Sequence, residues 1–200
     1  MRKSHNLFRF ALVTLGCIYL NAMVSFTNQE SAFLIDDFSR KDQISALNTE
    51  WRSFSDRVMG GNSQGQHRFV VIDDKRCIRL TGDVSLENNG GFIQGALSLD
   101  DQGQLFDASR YQGIRINVRG NNARYYIHLR SRQTQQPWQY YAIDFQATEE
   151  WRTLEIPFSS FKPENLRETL NTAELRRIAI VGAWQEFKVD VAVSRLEFYR

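Results

Sequence analysis

A chain of 200 residues with 42% hydrophobic and 24% charged side chains is long enough for one core that buries roughly 70% of the surface its unfolded chain exposes. That composition excludes disorder, a fibrous repeat and a multispanning membrane protein. The formal net charge is only +2 and the basic residues are dispersed, so nucleic-acid binding is not expected; Arg115, Arg119, Arg124, Arg130 and Arg132 read as a solvated sheet face with acidic partners rather than a basic stripe.

The N-terminus carries Arg2, Lys3 and Arg9, and no charged residue follows from Phe10 to Phe26. A positive flank before an apolar stretch is the layout of a secretory signal, and about 17 residues is also just enough to span a bilayer. Residues 1–24 are therefore read as a signal peptide or an N-terminal membrane anchor, and 25–32 as a tether. Cys17 is a poor lipidation site, since Leu15 stands one place too close and Ile18, Tyr19 and Leu20 follow it. The bulk of the chain is expected outside the cytoplasm, exported or membrane-anchored, and periplasmic or extracellular if the source is bacterial. Without the leader Cys77 has no partner for an intrachain disulfide, and its alternating surroundings mark it as a small buried hydrophobe.

From about Phe33 to the end the chain is a succession of short segments with period-two alternation, bounded by Gly, Asn, Asp or Ser, which is the pattern of half-buried strands. Predicted strands are 67–72, 77–86, 91–99, 114–119, 125–130, 138–145, 151–156, 177–181 and 189–199. Gly120, Asn121 and Asn122 lie between Ile114, Ile116, Val118 and Tyr125, Ile127, Leu129, and the pair is expected to form a hairpin. Lys162 to Leu170, entered by Pro163, is expected to be a short helix, with a further turn begun by Thr172. This many strands without alternating helices gives two antiparallel sheets packed face to face: an all-β jelly-roll sandwich of a single domain, residues 33–200.

Trp51 to Ser63 is the most distinctive stretch. Its Asp56, Arg57, Val58, Met59, Gly60, Gly61 and Ser63 resemble the signature of the complex I intermediate-associated protein 30 family. Asn89, Gly90, Gly91 and Phe92, the strand from Tyr111 to Gly120, and Trp151 with Ile156, Pro157 and Phe158 are similar to further family segments, in order. The resemblance covers about four fifths of the chain. It implies a galactose-binding-like jelly roll, similar in shape to carbohydrate-binding modules, in a family whose best-known members are assembly chaperones for respiratory complex I. From the residues alone, Gly60 and Gly61 suit a sharp turn, with Asp56 and Ser63 satisfying backbone donors around it. The motif is then a buried structural turn or a ligand site, and the first reading is preferred.

Chemistry has few footholds. His5, His67 and His128 lie too far apart in sequence for a zinc or iron site, and no cofactor is expected. Asp36, Asp37 and Glu197 are weak Ca²⁺ candidates should the termini meet. No nucleophile motif occurs, and Asp144 with Glu155, or Glu149 with Glu150, are accidental-looking carboxylate pairs, so the chain is read as non-enzymatic. Binding is better supported: Tyr126, His128 and Arg130 point to one side of their strand, and Trp138, Tyr140 and Asp144 alternate out on another, forming a candidate face where rings and guanidinium groups meet a partner. The expected function is a protein-interaction or assembly factor for a membrane complex; the alternative is a carbohydrate-binding module of the cell envelope.

Overall fold

The computed structural model describes residues 32–200; the predicted leader and nearly all of the tether lie outside the described residues. Twelve strands form two six-stranded sheets. The first sheet runs β3 (Gln64–Ile72), β4 (Lys75–Val84), β12 (Phe187–Tyr199), β6 (Gly113–Gly120) and β9 (Arg152–Pro157), with β1 (Phe33–Asp36) also paired to β12. The second runs β10 (Lys162–Glu164), β8 (Tyr140–Ala147), β7 (Ala123–Ser131), β11 (Leu175–Ala183), β5 (Phe92–Ser98) and β2 (Trp51–Ser55). All strand pairs are antiparallel. This is the all-β jelly-roll sandwich that the alternation predicts. Among the described residues, no helix is long and apolar enough to cross a membrane.

The core follows from the alternation. Ile114, Ile116 and Val118 from the first sheet meet Tyr125, Ile127 and Leu129 from the second, all essentially inaccessible to solvent. Along β12 the inward phase runs Val189, Val191, Val193 and then slips to Leu196 and Phe198. A bulge between Val193 and Arg195 absorbs the extra residue and keeps both halves pointing inward. Cys77 is a free, buried cysteine.

Two local expectations are corrected. β6 and β7 are not a hairpin: β6 pairs with β12 and β9, whereas β7 pairs with β11 and β8. The Asn121–Asn122 link instead crosses from sheet to sheet. Asn121 gives its side-chain amide to the Lys188 carbonyl and accepts from the Tyr125 hydroxyl, while Asn122 takes the left-handed conformation that ends the first strand. Residues 162–170 are not helical either. Lys162–Glu164 is an edge strand on β8, where Pro163 costs no ladder donor, and Asn165 at φ 59° turns the chain away. The Thr172–Glu174 turn is a single 3-10 turn capped by the Asn171 side chain.

Candidate binding face

The outer face of the second sheet is laid out by its register. One rung reads Arg52, Ala96, Ala179, His128, Ala142 and Lys162 across β2, β5, β11, β7, β8 and β10. The next reads Phe54, Gln94, Val181, Tyr126 and Asp144, and on the other side Ser98, Arg177 and Arg130 stand in line. Ala96, Ala179, Val181 and Ala183 are buried although they face away from the core. Their small side chains leave room for Phe54, Phe92 and Tyr126 to lie over the sheet as a second apolar cluster.

The rings continue across β7 and β8. His128 stacks on Tyr140 with centroids 4.0 Å apart and 12° between planes, and Trp184 meets Tyr126 edge-on at 4.4 Å. Trp184 is 49% exposed and is held at φ 63°, with its backbone N–H donated to the Gly91 carbonyl. A left-handed backbone at a bulky residue stores about 1–3 kcal/mol of strain, and such strain gathers at functional positions. His128 Nε2 is sealed from water with no hydrogen-bond partner among the described residues, and burial pushes the imidazole pKa down to about 3. Burial likewise pushes the Tyr140 phenol up to about 12, with Glu164 adding to it, so both groups are neutral at ordinary pH.

At the β7–β11 end the face turns cationic. A bulge after Leu175 lets consecutive residues Arg176 and Arg177 line one cavity of about 280 Å³ together with Arg130, Ser98, Thr134 and Asp100. Arg130 is steadied by the carbonyls of Gln136 (2.7 Å) and Thr134 (3.5 Å), and Arg177 lies over the Phe54 ring at 5.7 Å. Burial, then the neighbouring arginines, lower the pKa of Arg130 and of Arg177.

The distinctive turn lies at one edge of the sandwich. Residues Asp56–Met59 form a 3-10 turn closed by Gly60 at φ 92°. The Asp56 carboxylate is fully buried. Oδ1 accepts from Ser63 N (2.9 Å), and Oδ2 accepts from the Ser63 hydroxyl, Gly91 N (2.6 Å) and Phe92 N (3.3 Å). Burial opposes ionisation here, but the hydrogen bonds from Ser63, Gly91 and Phe92 outweigh it and hold the pKa below the ordinary value. A Cβ on Gly61 or on Gly90 would lie 2.4 Å from a carboxylate atom of Asp56, which is why both positions are bare. The turn thus clamps the β2 end to the start of β5 and presents Arg57, Val58 and Met59 to solvent, the latter two 72% and 58% exposed.

Residues 37–189 match the model of the complex I intermediate-associated protein 30 (CIA30) family. The chain belongs to that family. No curated protein matches this CIA30 chain, but solved structures resemble it in fold. The family 11 carbohydrate-binding module from Clostridium thermocellum, in complex with a β-1,3-1,4-mixed-linked tetrasaccharide, is 18% identical with a TM-score of 0.64, over 84% of this chain and 95% of the module. The family 11 module of a cellulosomal cellulase of the same organism is 20% identical, TM-score 0.64, over 85% and 95%. A family 30 carbohydrate-binding module is 12% identical, TM-score 0.55, over 74% and 82%.

In the CIA30 domain the residues singled out from sequence fall in three places. Asp56, Gly60, Gly61, Ser63, Gly90 and Gly91 build the clamp. Trp151 sends Nε1 to Asp73 (3.2 Å) on the first sheet, Pro157 closes β9 opposite Gly113, and Phe158 packs on Phe198. Tyr126, His128, Arg130 and Tyr140 share the outer face as expected from alternation. Trp138 does not: Pro137 and the Gln139 side chain, which accepts from Gln135 N and Gln136 N, hold it in the exposed loop before β8. Asp144 is exposed at that face's margin, 3.7 Å from Arg124.

The acidic residues near the termini do come together, since β1 pairs with β12, but their oxygens are engaged elsewhere. Asp36 accepts from Trp51 Nε1 and Phe38 N, Asp37 from Ser39 N, and Glu197 pairs with Arg115 and Arg195. Among the described residues, no three His, Cys, Asp or Glu side chains gather as metal ligands. The sequence reading does not place Trp184, Phe54, Phe92, Arg176 or Arg177 on the binding face. The signals were there in the paired arginines that break the alternation before Ile178, and in a lone tryptophan closing a strand.

Proposed function

We propose that this CIA30 domain is a non-catalytic, exported binding module that holds a carbohydrate on the outer face of its second sheet. The observation that supports the reading is the ring shelf of Tyr126, His128, Tyr140 and the strained, half-exposed Trp184, set beside fixed guanidinium donors. Flat rings cover the apolar faces of a sugar while polar groups at the margin select its hydroxyls, the usual division of labour in a ligand site. Carbohydrate-binding modules share the fold, one of them with a tetrasaccharide bound.

Calorimetric titration of the purified protein with a panel of plant and bacterial-envelope oligosaccharides tests this. Trp184→Ala and Tyr126→Ala are expected to weaken binding about tenfold or more, the loss of roughly 1.4 kcal/mol of ring contact. A panel that stays blank at concentrations on the order of millimolar sinks the reading.

A protein partner in a membrane complex is the second reading, favoured by the family's own description and by apolar Val58 and Met59, presented to solvent on a rigid turn. Its test is affinity capture from detergent-solubilised membranes. A membrane complex that co-purifies with the wild type and is lost with Val58→Asp supports it, and identical recovery with the variant removes it.

A further inference from the structure

Many arginines of this molecule are ion-paired, and those left without a carboxylate among the described residues include a cluster on one face. Among the described residues Arg115 pairs with Glu155 and Glu197, Arg119 with Asp73, Arg79 with Asp190, Arg124 with Asp144 and Arg132 with Glu174. Arg130, Arg176, Arg177 and Arg52 have no carboxylate within salt-bridge distance among the described residues, and all four belong to the β2–β5–β11–β7 end of one face. Arg177 is set directly opposite Arg130 in the ladder, an arrangement of like charges that destabilises a sheet. The bulge after Leu175 adds Arg176 to the same cavity instead of sending it to the other side. Asp100, the one carboxylate on the cavity wall, already accepts from the Gln102 and Gln104 backbone N–H groups.

From this uncompensated cluster at the end of the ring shelf, we infer that the module selects an acidic glycan, placing a sugar carboxylate or sulfate in the cavity of Arg130, Arg176 and Arg177 while neighbouring residues of the glycan lie on the rings. This rests on the outer face being the carbohydrate surface. Guanidinium groups match planar and tetrahedral oxyanions with paired, charge-assisted hydrogen bonds, and Arg130 is pre-positioned by backbone carbonyls that leave its charge unneutralised. A nucleic acid fits less well. It has a charge at each nucleotide and calls for a basic track, whereas the cations here gather at one spot and Arg79, Arg115, Arg119 and Arg195 on the first sheet are neutralised by carboxylates.

The test titrates the purified protein with a galacturonic acid oligomer and its neutral methyl ester, and with a sulfated galactan oligomer and its desulfated form. The expected result is that an acidic member binds at least tenfold more tightly than its neutral twin, and that raising salt from about 50 to about 300 mM erodes the difference. The carboxylate and sulfate arms report which anion is preferred. Arg176→Gln, at an exposed side chain, and Arg177→Gln should each weaken the acidic member well beyond its neutral twin and so abolish most of that preference, with unfolding midpoints confirming that both variants fold. Equal binding of acidic and neutral twins overturns the inference and leaves the carbohydrate reading standing. No binding of any of the four overturns the inference and leaves the carbohydrate reading to the wider panel, and tighter binding of a thymidine oligonucleotide than of any glycan overturns the inference in favour of nucleic acid.

Discussion

Replacing Asp56 by Asn isolates what the buried carboxylate does, because size and shape barely change. In the better of its two orientations the amide oxygen stands in for Oδ2 and still accepts from Gly91 N and the Ser63 hydroxyl, but the amide NH₂ then faces Ser63 N, donor against donor. One buried backbone N–H without an acceptor costs about 1–3 kcal/mol, and each bond that loses its charge assistance weakens by about 1 kcal/mol. With the bonds from Gly91 N and the Ser63 hydroxyl each weakened, the sum is about 3–5 kcal/mol, a large share of the ~5–15 kcal/mol available to a domain. Ser63→Ala, which removes only the hydroxyl, should cost about 1–2 kcal/mol, and Asp56→Ala more than Asp56→Asn. Urea unfolding followed by tryptophan fluorescence measures all three, with the slope unchanged if the variants shift stability alone. An Asp56→Asn variant within about 1 kcal/mol of wild type would refute the view that this carboxylate holds the turn to β5.

Two further outcomes follow from the same kind of reasoning. His128 folds with a pKa of about 3 against an ordinary 6.5, so between those values the unfolded chain binds a proton that the folded chain refuses, and stability falls as pH drops from about 6.5 towards 3. His128→Phe removes up to ~1.4 kcal/mol per pH unit of that dependence; His67, which burial shifts in the same direction, is present in both proteins and cancels in the difference, and superimposable stability-versus-pH curves would contradict the assignment. The Tyr125 hydroxyl donates to Asn121 Oδ1 (2.6 Å) and accepts from Asp190 N (2.9 Å), so Tyr125→Phe should cost about 1–2 kcal/mol and deprotect the Asp190 amide in hydrogen exchange; unchanged protection there would count against the bridge.

What was legible in the sequence was what alternation encodes. Ile114, Ile116 and Val118 declare a buried face because every second residue is apolar, and the outward set Tyr126, His128, Arg130 follows from the same period of two. What was not legible was which sheet each strand joins. Ala123–Ser131 reads equally well as the hairpin partner of Gly113–Gly120 and as a strand of the opposing sheet, because alternation fixes which side chains face inward but not which strand lies alongside. The choice is made by contacts distant in sequence: Asn121 on the Lys188 carbonyl, and Gly120, where a Cβ would strike Ala147. Short strands that pair with distant partners, such as Phe33–Asp36 on β12, have too few residues to show a period.

The candidate site was missed where it depends on a break in the period rather than on the period itself. Leu175 and Ile178 both point inward, three residues apart, which no regular strand allows. The bulge that reconciles them aims Arg176 and Arg177 into a single cavity. A phase slip of this kind is visible in a sequence as two apolar positions of unlike parity with a polar pair between them. In β12 the same device, with Ser194 and Arg195 between Val193 and Leu196, hides on a face where Arg195 finds Glu197. The two bulges differ electrostatically: the first sheet supplies a carboxylate to the residue that its bulge re-aims, and the second leaves two guanidinium groups without one, at a cost in stability that an acidic ligand would relieve on binding.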